Sequence, residues 1–160
     1  MIDAAKFRQV LGSYPTGVCA ITAVTDDGER AAMVVGTFTS VSLDPPLVGF
    51  FPDKKSSSWP QIERAGRFCV NILAADQGGL CRQLAISGSD KYADVGFTLS
   101  ENGSPILDSA IAWIDCTIHD VVEAGDHYLV LGRVLALETC READPMLFFK
   151  GKYGGFAHID

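Results

Sequence analysis

The stretch VCAITAVTDDGERAAMVV, residues 18–35, indicates the fold class of this chain. Its two ends, residues 18–25 and 31–35, are rich in β-branched and small apolar residues, which is typical of strands. Between them, Asp27-Gly28 is a dipeptide expected in a tight hairpin turn. The stretch therefore predicts two neighbouring antiparallel strands with no helix between them.

Outward from this hairpin, apolar runs predict further strands and a few short helices. The other predicted strands cover residues 47–51, 68–73, 111–122, 127–137 and 146–149. The predicted helices are one capped by Asp3, with Phe7, Val10, Leu11 and Tyr14 on one face, one from Pro60 to Gly66, and one over residues 76–86 with Leu80, Leu84 and Ala85 inward. Residues 87–103 resemble a loop.

About seven strands and two or three short helices, without long helical crossovers, favour a mainly β fold with a Greek-key-like antiparallel barrel. No GxGxxG follows the first strand, which argues against a Rossmann dinucleotide site. A length of 160 residues fits a single domain over residues 1–160.

Composition narrows the classes of function. The chain has 13 basic and 20 acidic residues, a formal charge of −7, and no basic cluster, which argues against nucleic acid as a partner. The start, MIDAAKFRQV, has no secretory pattern, and no apolar run reaches the length of a membrane span, so we expect a cytoplasmic protein. Five cysteines without a CxxC pair and three histidines without ligand spacing predict no metal site and no disulfide framework.

A hydroxyl-rich run inside an apolar context is the first candidate binding element. Its members are Thr37, Phe38, Thr39, Ser40 and Val41. Strand alternation would place the odd-numbered side chains on one face and the even-numbered ones on the other. Their hydroxyls and backbone could hydrogen-bond a flat heteroaromatic ring. Taken alone, the run is more typical of a strand that ends at Pro45-Pro46.

The stretch KKSSSWP, residues 54–60, is the second candidate. A Ser-rich loop meets a predicted helix start there, where unpaired N–H groups and the helix dipole attract phosphate. Trp59 could cover an adjacent ring. The candidate residues are Lys54, Ser56, Ser57, Ser58 and Trp59. The alternative is an ordinary Ser cap on a solvated loop.

Two further stretches carry a candidate each. His127, which follows Gly125-Asp126 at a predicted hairpin tip, could donate to a cofactor or tune a hydride transfer; the alternative is a solvated turn histidine. Tyr153, in the glycine-rich residues 150–156, could stack on a ligand, or simply belong to a C-terminal turn. Since neither a GxSxG elbow nor a paired-carboxylate pattern occurs, the chemistry is expected to belong to a cofactor.

The chain resembles the short-chain flavin reductases in six segments that occur in a fixed order. These segments are PTGV (15–18), TFTSVSLDPPLV (37–48), SSSW (56–59), FCVNIL (68–73), SDKY (89–92) and GDH (125–127). Those proteins have the FMN-binding split-barrel fold and serve as reductase components of two-component flavin-dependent monooxygenases. The resemblance covers about residues 5–156.

The resemblance implies a homodimer in which NADH or NADPH delivers a hydride to FMN or FAD near the subunit interface. It also implies a separate monooxygenase that receives the reduced flavin. The lack of an Arg cluster for a 2′-phosphate favours NADH. Two alternatives stay open: a flavoprotein on the same barrel that acts on an organic substrate, and a flavin carrier without catalysis.

The resemblance also assigns roles to residues. Residues 37–41 would run beside the isoalloxazine, and Ser56, Ser58 and nearby N–H groups would hold the ribityl phosphate. Lys91 would approach the phosphate end, His127 the nicotinamide, and Tyr153 the ring or the mouth of the site. One departure is Gly36, where relatives often have Ser or Asn.

Overall fold

Antiparallel strands make up most of the computed structural model, which describes residues 1–88 and 90–160. The helices are α1 (Ala4–Leu11), α2 (Trp59–Ala65) and α3 (Gly78–Ala85), the last preceded by a 3₁₀ turn, Ala75–Gln77. The strands are β1 (Thr16–Gly17), β2 (Cys19–Val24), β3 (Arg30–Val35), β4 (Thr39–Ser42), β5 (Leu47–Phe50), β6 (Arg67–Ile72), β7 (Phe97–Leu99), β8 (Pro105–Leu107), β9 (Ala112–Ala124), β10 (His127–Thr139), β11 (Leu147–Phe149) and β12 (Lys152–Gly154).

The main sheet has seven strands in the order β3-β2-β6-β9-β10-β5-β4, and every neighbouring pair is antiparallel. Two small sheets, β1-β11-β12 and β7-β8, accompany it. The hairpins predicted over residues 18–35 and 111–137 are both present, as β2–β3 and β9–β10. The mainly β, antiparallel architecture with short helices is therefore confirmed.

The prediction of a loop over residues 87–103 is wrong in one place, because β7 lies within it and pairs with β8. This hairpin covers a polar patch on the main sheet. The Asn71 side-chain amide donates to Thr22 Oγ1 over 3.0 Å, and its oxygen accepts from Leu107 N over 2.9 Å. Three-residue strands held by such distant partners leave no periodic signal in the sequence.

Two apolar clusters form the core. In the first, α2 packs on the main sheet through the fully buried Ile62, and Phe50 meets Phe68 edge to face at 5.1 Å. In the second, α3 buries Cys81 and Leu84. The inward position expected for Ala85 is wrong, since Ala85 is exposed and Cys81 faces the core instead.

Helix α1 begins at its predicted cap, where the Asp3 carboxylate accepts from Ala5 N over 3.2 Å. Its apolar face is not buried against this chain. Of the four predicted members, Phe7, Val10 and Leu11 lie on the helix and Tyr14 follows its end; each is more than half exposed. A complete apolar stripe left in solvent points to a contact outside the single chain.

Gly132, at a register shift in the β9–β10 pair, tests the packing of the first cluster. A Cβ added there would lie 2.5 Å from Phe68 Cζ and 3.1 Å from Cys116 Cβ, both fully buried. We expect Gly132→Ala to lower the free energy of unfolding by about 1–3 kcal/mol through overpacking. Urea unfolding measures the change.

The matched control is Gly17→Ala, because no atom lies within 4 Å of the added Cβ. Its free energy of unfolding should stay within about 0.5 kcal/mol of the parent value. Equal unfolding midpoints for the two variants would contradict the packing described.

Candidate functional site

A cleft of about 570 Å³ lies between strand β3, the loop before α2 and the end of α3. One wall is apolar, from Met33, Val34 and Leu84. The other is polar, from residues 55–58 and Lys91. An apolar wall opposite a few convergent polar groups is the usual composition of a small-molecule site.

Lys91 is one of two cations on the polar wall, the other being Lys55. Its Nζ donates to the Ala32 carbonyl oxygen over 2.6 Å and to Ser58 Oγ over 2.9 Å. Both acceptors are neutral, and among the described residues no carboxylate lies within ion-pair distance of this Nζ. Burial lowers the pKa of Lys91 below the ordinary value. A partly buried cation without a counter-charge marks a position suited to an anion.

The three serines before α2 have different roles. Ser56 Oγ accepts from Ser58 N and Trp59 N, each over 3.2 Å, so it caps the helix. Two of the N–H groups expected to be free for a phosphate, those of Ser58 and Trp59, are therefore already paired. Ser58 is buried with its hydroxyl on Lys91, whereas Ser57 is exposed on the cleft wall. The groups that this wall offers to an anion are Lys91, Lys55 and the serine hydroxyls.

Two residues of the predicted loop site do not face the cleft. Trp59 is only 3% exposed and packs on Phe50 at 6.1 Å between ring centroids. Its predicted role as a cover for a ligand ring is thus contradicted, because an indole next to an apolar helix face goes to the core. Lys54 pairs with Glu123 over 3.2 Å and lies 5.2 Å from the Tyr128 ring centroid. Its neighbour Lys55 lines the cleft instead.

The hydroxyl-rich run lies outside this cleft, at the other edge of the main sheet. Thr37 Oγ1 accepts from Phe51 N over 3.0 Å, and Phe38 packs partly on the first core cluster. Thr39, Ser40 and Val41 are exposed on edge strand β4. A register shift between Ser40 and Ser42 interrupts the predicted alternation of faces.

His127 is attached to the loop that leads into the cleft. It opens strand β10 and forms a bridge with Asp53, while Lys54 N donates to the Asp126 carbonyl oxygen over 3.0 Å. Its Nδ1 lies 2.8 Å from Asp126 Oδ1, and this hydrogen bond lowers the pKa of Asp126. The contact orients the imidazole and leaves Nε2 for another partner. Thr37 and His127 thus lie on either side of residues 51–53.

Tyr153 lies on strand β12, next to the cleft. With Val34 and Gly36 it lines a smaller pocket of about 180 Å³, and Val34 belongs to the cleft as well. A hydrogen bond with the Cys81 thiol raises the pKa of Tyr153. The tyrosine therefore extends the apolar side of the site along β3.

The departure at Gly36 has a steric reason. A Cβ at this position would lie 2.6 Å from Thr16 Oγ1, so Thr16 fills the space that a side chain would need. Ser or Asn at position 36 would require Thr16 to move. The Thr16 hydroxyl is itself buried at this corner and has no hydrogen-bond partner among the described residues.

The SDKY motif falls partly outside the described residues, since these leave out Ser89.

Over residues 1–88 and 90–160, no cluster of three or more His, Cys, Asp or Glu side chains could hold a metal ion. In the same part of the chain, no helix has the length and apolar character to cross a bilayer.

Residues 11–157 match the model of the family described as flavin reductase like domain. That match covers most of the chain, and the chain belongs to this family. The family and the oxidoreductase function expected from the sequence are confirmed, as is the split-barrel fold.

Individual relatives agree with this assignment. The chain is 56% identical to a flavin reductase of Pseudomonas putida over 99% of this chain and 93% of that protein. It is 46% identical to the reductase subunit of a flavin-dependent monooxygenase of Rhodococcus jostii, over 96% of this chain and 78% of that one. Among solved structures, it is similar to a homologue of nitrilotriacetate monooxygenase component B from Mycobacterium thermoresistibile, with a TM-score of 0.92, 44% identity and coverage of 96% and 86%.

Proposed function

We propose that this flavin reductase binds the phosphate of FMN or FAD at Lys91, uses NADH as hydride donor, and supplies the reduced flavin to a separate monooxygenase. Lys91 carries the proposal, because it is a partly buried cation whose described acceptors are neutral. Relatives support the choice of cofactors. One is named FMN reductase (NADH), from Agrobacterium fabrum, and a similar structure is named an NADH:FAD oxidoreductase, from Streptomyces globisporus.

The residues of the cleft fit a flavin. Its volume of about 570 Å³ lies within the usual range for sites that bind small molecules. Met33, Val34 and Leu84 offer an apolar wall for a flat ring system, and Lys91 with Ser57 and Lys55 offers donors for a phosphate.

As the family resemblance implies, we assign the reacting end to Thr37 and His127, which lie on either side of residues 51–53 and outside the lining of the cleft. When bound, the flavin supplies the hydride acceptor. The protein then has to align the nicotinamide with it, since such a transfer depends on approach and orientation rather than on a strong base. His127, held by Asp126 through Nδ1, can donate or accept a hydrogen bond through Nε2 and so position the nicotinamide.

Removal of the Lys91 charge should weaken the binding of flavins that carry a phosphate but not the binding of riboflavin, which carries none. For Lys91→Met, we expect the Kd of FMN to rise by ~10-fold or more, because a charge-assisted contact is lost, while riboflavin changes by less than ~2-fold. Flavin binding, measured by calorimetry, checks this without any turnover.

The matched control for Lys91 is Lys6→Met, which removes the same charge from exposed helix α1. It should leave both affinities unchanged. If Lys91→Met weakens the binding of FMN and of riboflavin equally, Lys91 acts on the whole site and the assignment of the phosphate to Lys91 is wrong.

His127→Ala should reduce turnover more than flavin binding. We expect kcat for NADH oxidation in the presence of FMN to fall by ~10- to 100-fold through lost alignment, while the Kd of FMN stays within ~2-fold. Steady-state oxidation of NADH and of NADPH, with and without FMN, FAD and riboflavin, measures turnover and ranks the cofactors.

His119→Ala is the matched control, since His119 is exposed on the neighbouring strand β9. Unaltered nicotinamide kinetics in His127→Ala would exclude the role. If the parent protein binds flavin but oxidises neither nucleotide, the reductase proposal itself fails and a carrier is favoured.

We also propose that the protein is a homodimer, as the family resemblance implies, and that α1 contributes to the interface. The exposed stripe of Phe7, Val10 and Leu11 supports this, because one chain leaves it without a partner. Lys150 N donates to Gly12 O over 3.0 Å and so attaches the end of α1 to the β11–β12 turn. Phe148 and Phe149 on β11 are also exposed and enlarge the apolar surface.

Charges on the α1 stripe should dissociate this dimer. For Phe7→Asp combined with Leu11→Asp, we expect sedimentation equilibrium to give the monomer mass of 17.1 kDa, against twice that mass for the parent protein. The control is Leu43→Asp, which lies in the turn between β4 and β5 and is 93% exposed; this variant should leave the dimer intact. A monomeric parent protein would contradict the proposal.

A further inference from the structure

The cleft continues beyond Lys91 into a second pocket of about 310 Å³. The two spaces share Ser57, Ser58, Gly88 and Lys91, so Lys91 lies at their junction. The second pocket then extends along β3 and α2, to Arg30 and Gln61. His127 lines neither space. A ligand whose phosphate is at Lys91 can therefore extend past it, away from the proposed reacting end.

Arg30 provides the positive charge at the far end. Its guanidinium carbon lies 5.5 Å from the centroid of the Tyr92 ring and 6.0 Å from that of Phe97. Tyr92 is buried and its hydroxyl donates to the Ala31 carbonyl oxygen over 2.7 Å, so the ring is a fixed platform. A guanidinium stacked on an aromatic face keeps its N–H edge available for a phosphate.

Two other arginines, Arg64 and Arg67, are paired with carboxylates. Arg64 pairs with Glu29, and Arg67 pairs with Asp26 over 3.1 Å. Within residues 1–88 and 90–160, Arg30 forms no ion pair. Arg30 thus differs from these two arginines in having no described carboxylate partner.

One carboxylate does line the second pocket. Asp90 Oδ1 accepts from Tyr92 N over 3.0 Å, so this oxygen is occupied by its own backbone turn. The other charged groups of the lining are Arg30 and Lys91. Two cations against one anion leave the pocket net positive in a chain whose formal charge is −7.

We infer that the second pocket binds the second phosphate and adenosine part of a flavin dinucleotide, with Arg30 as the residue that selects FAD over FMN. This inference rests on the proposed function. FMN carries a single phosphate, which Lys91 already contacts in that proposal, whereas FAD carries a second one directly beyond it. The 2′-phosphate of NADPH has the same chemistry, but continuity with the phosphate end of the cleft favours the flavin.

The test compares the parent protein with Arg30→Gln in direct binding of FAD and FMN by calorimetry. We expect the parent protein to bind FAD more tightly than FMN. In Arg30→Gln the Kd of FAD should rise by ~10-fold through loss of a charge-assisted contact, and that of FMN by less than ~2-fold. Arg30→Lys should lie between, because it keeps the charge but not the planar, stacked fork.

Arg64→Gln is the matched control, with the same change at an exposed position of helix α2, and both affinities should be unchanged. Thermal melting of each variant verifies the fold. An equal decrease in the affinities for FAD and FMN in Arg30→Gln would overturn the inference, as would a parent protein that binds FAD no more tightly than FMN.

The KM values of NADH and NADPH form the second arm. If Arg30→Gln raises the KM of NADPH alone and leaves FAD binding intact, the pocket serves the nicotinamide nucleotide and the inference is wrong. A parent protein that binds neither flavin would contradict the proposed function instead, so the two failures are distinguishable.

Discussion

Two hydrogen bonds from one short segment to one strand hold the candidate site together. Lys91 Nζ and Tyr92 Oη donate to the carbonyl oxygens of Ala32 and Ala31, which are consecutive residues of β3. Because β3 is an edge strand of the main sheet, it has no further strand to satisfy its outer backbone groups. These two contacts attach the segment to β3 and position both the lysine at the junction of the two pockets and the aromatic platform for Arg30.

This arrangement places a charge where the protein alone does not balance it. The lowered pKa of Lys91 means that the charged form is disfavoured in the folded chain relative to the unfolded one. Below the folded-state pKa the lysine is charged in both states, and its desolvation opposes folding. As the pH rises from there toward 10.5, the ordinary value, that cost decreases. A bound phosphate would offset the same cost at neutral pH, so ligand binding and stability are linked through one residue.

The sequence predicted much of the fold, since the β2–β3 and β9–β10 hairpins have strong local signals: β-branched runs and an Asp-Gly turn. Strands β7 and β8 had no such signal, because they depend on Asn71 and Thr22 of distant strands. In the site, Lys91 was predicted from the family resemblance, and the cleft contains it. Arg30 was not predicted, because Tyr92 and Phe97 lie more than 60 residues further along the chain. Trp59 was misassigned because sequence cannot tell which side of a helix start faces the core.

The acidic character of the chain bears on how a flavin would be held. At long range, a formal charge of −7 repels a phosphorylated ligand, and solvent ions screen this repulsion over about 8–10 Å. At short range, the two pockets are lined by the cations Lys91, Lys55 and Arg30 and by the carboxylate of Asp90. In the proposed binding mode, a phosphorylated ligand is attracted by these few contacts, and those of Lys55 and Arg30 come from exposed side chains. We expect so few contacts to permit exchange of the flavin, as the proposed transfer of reduced flavin to a separate monooxygenase requires.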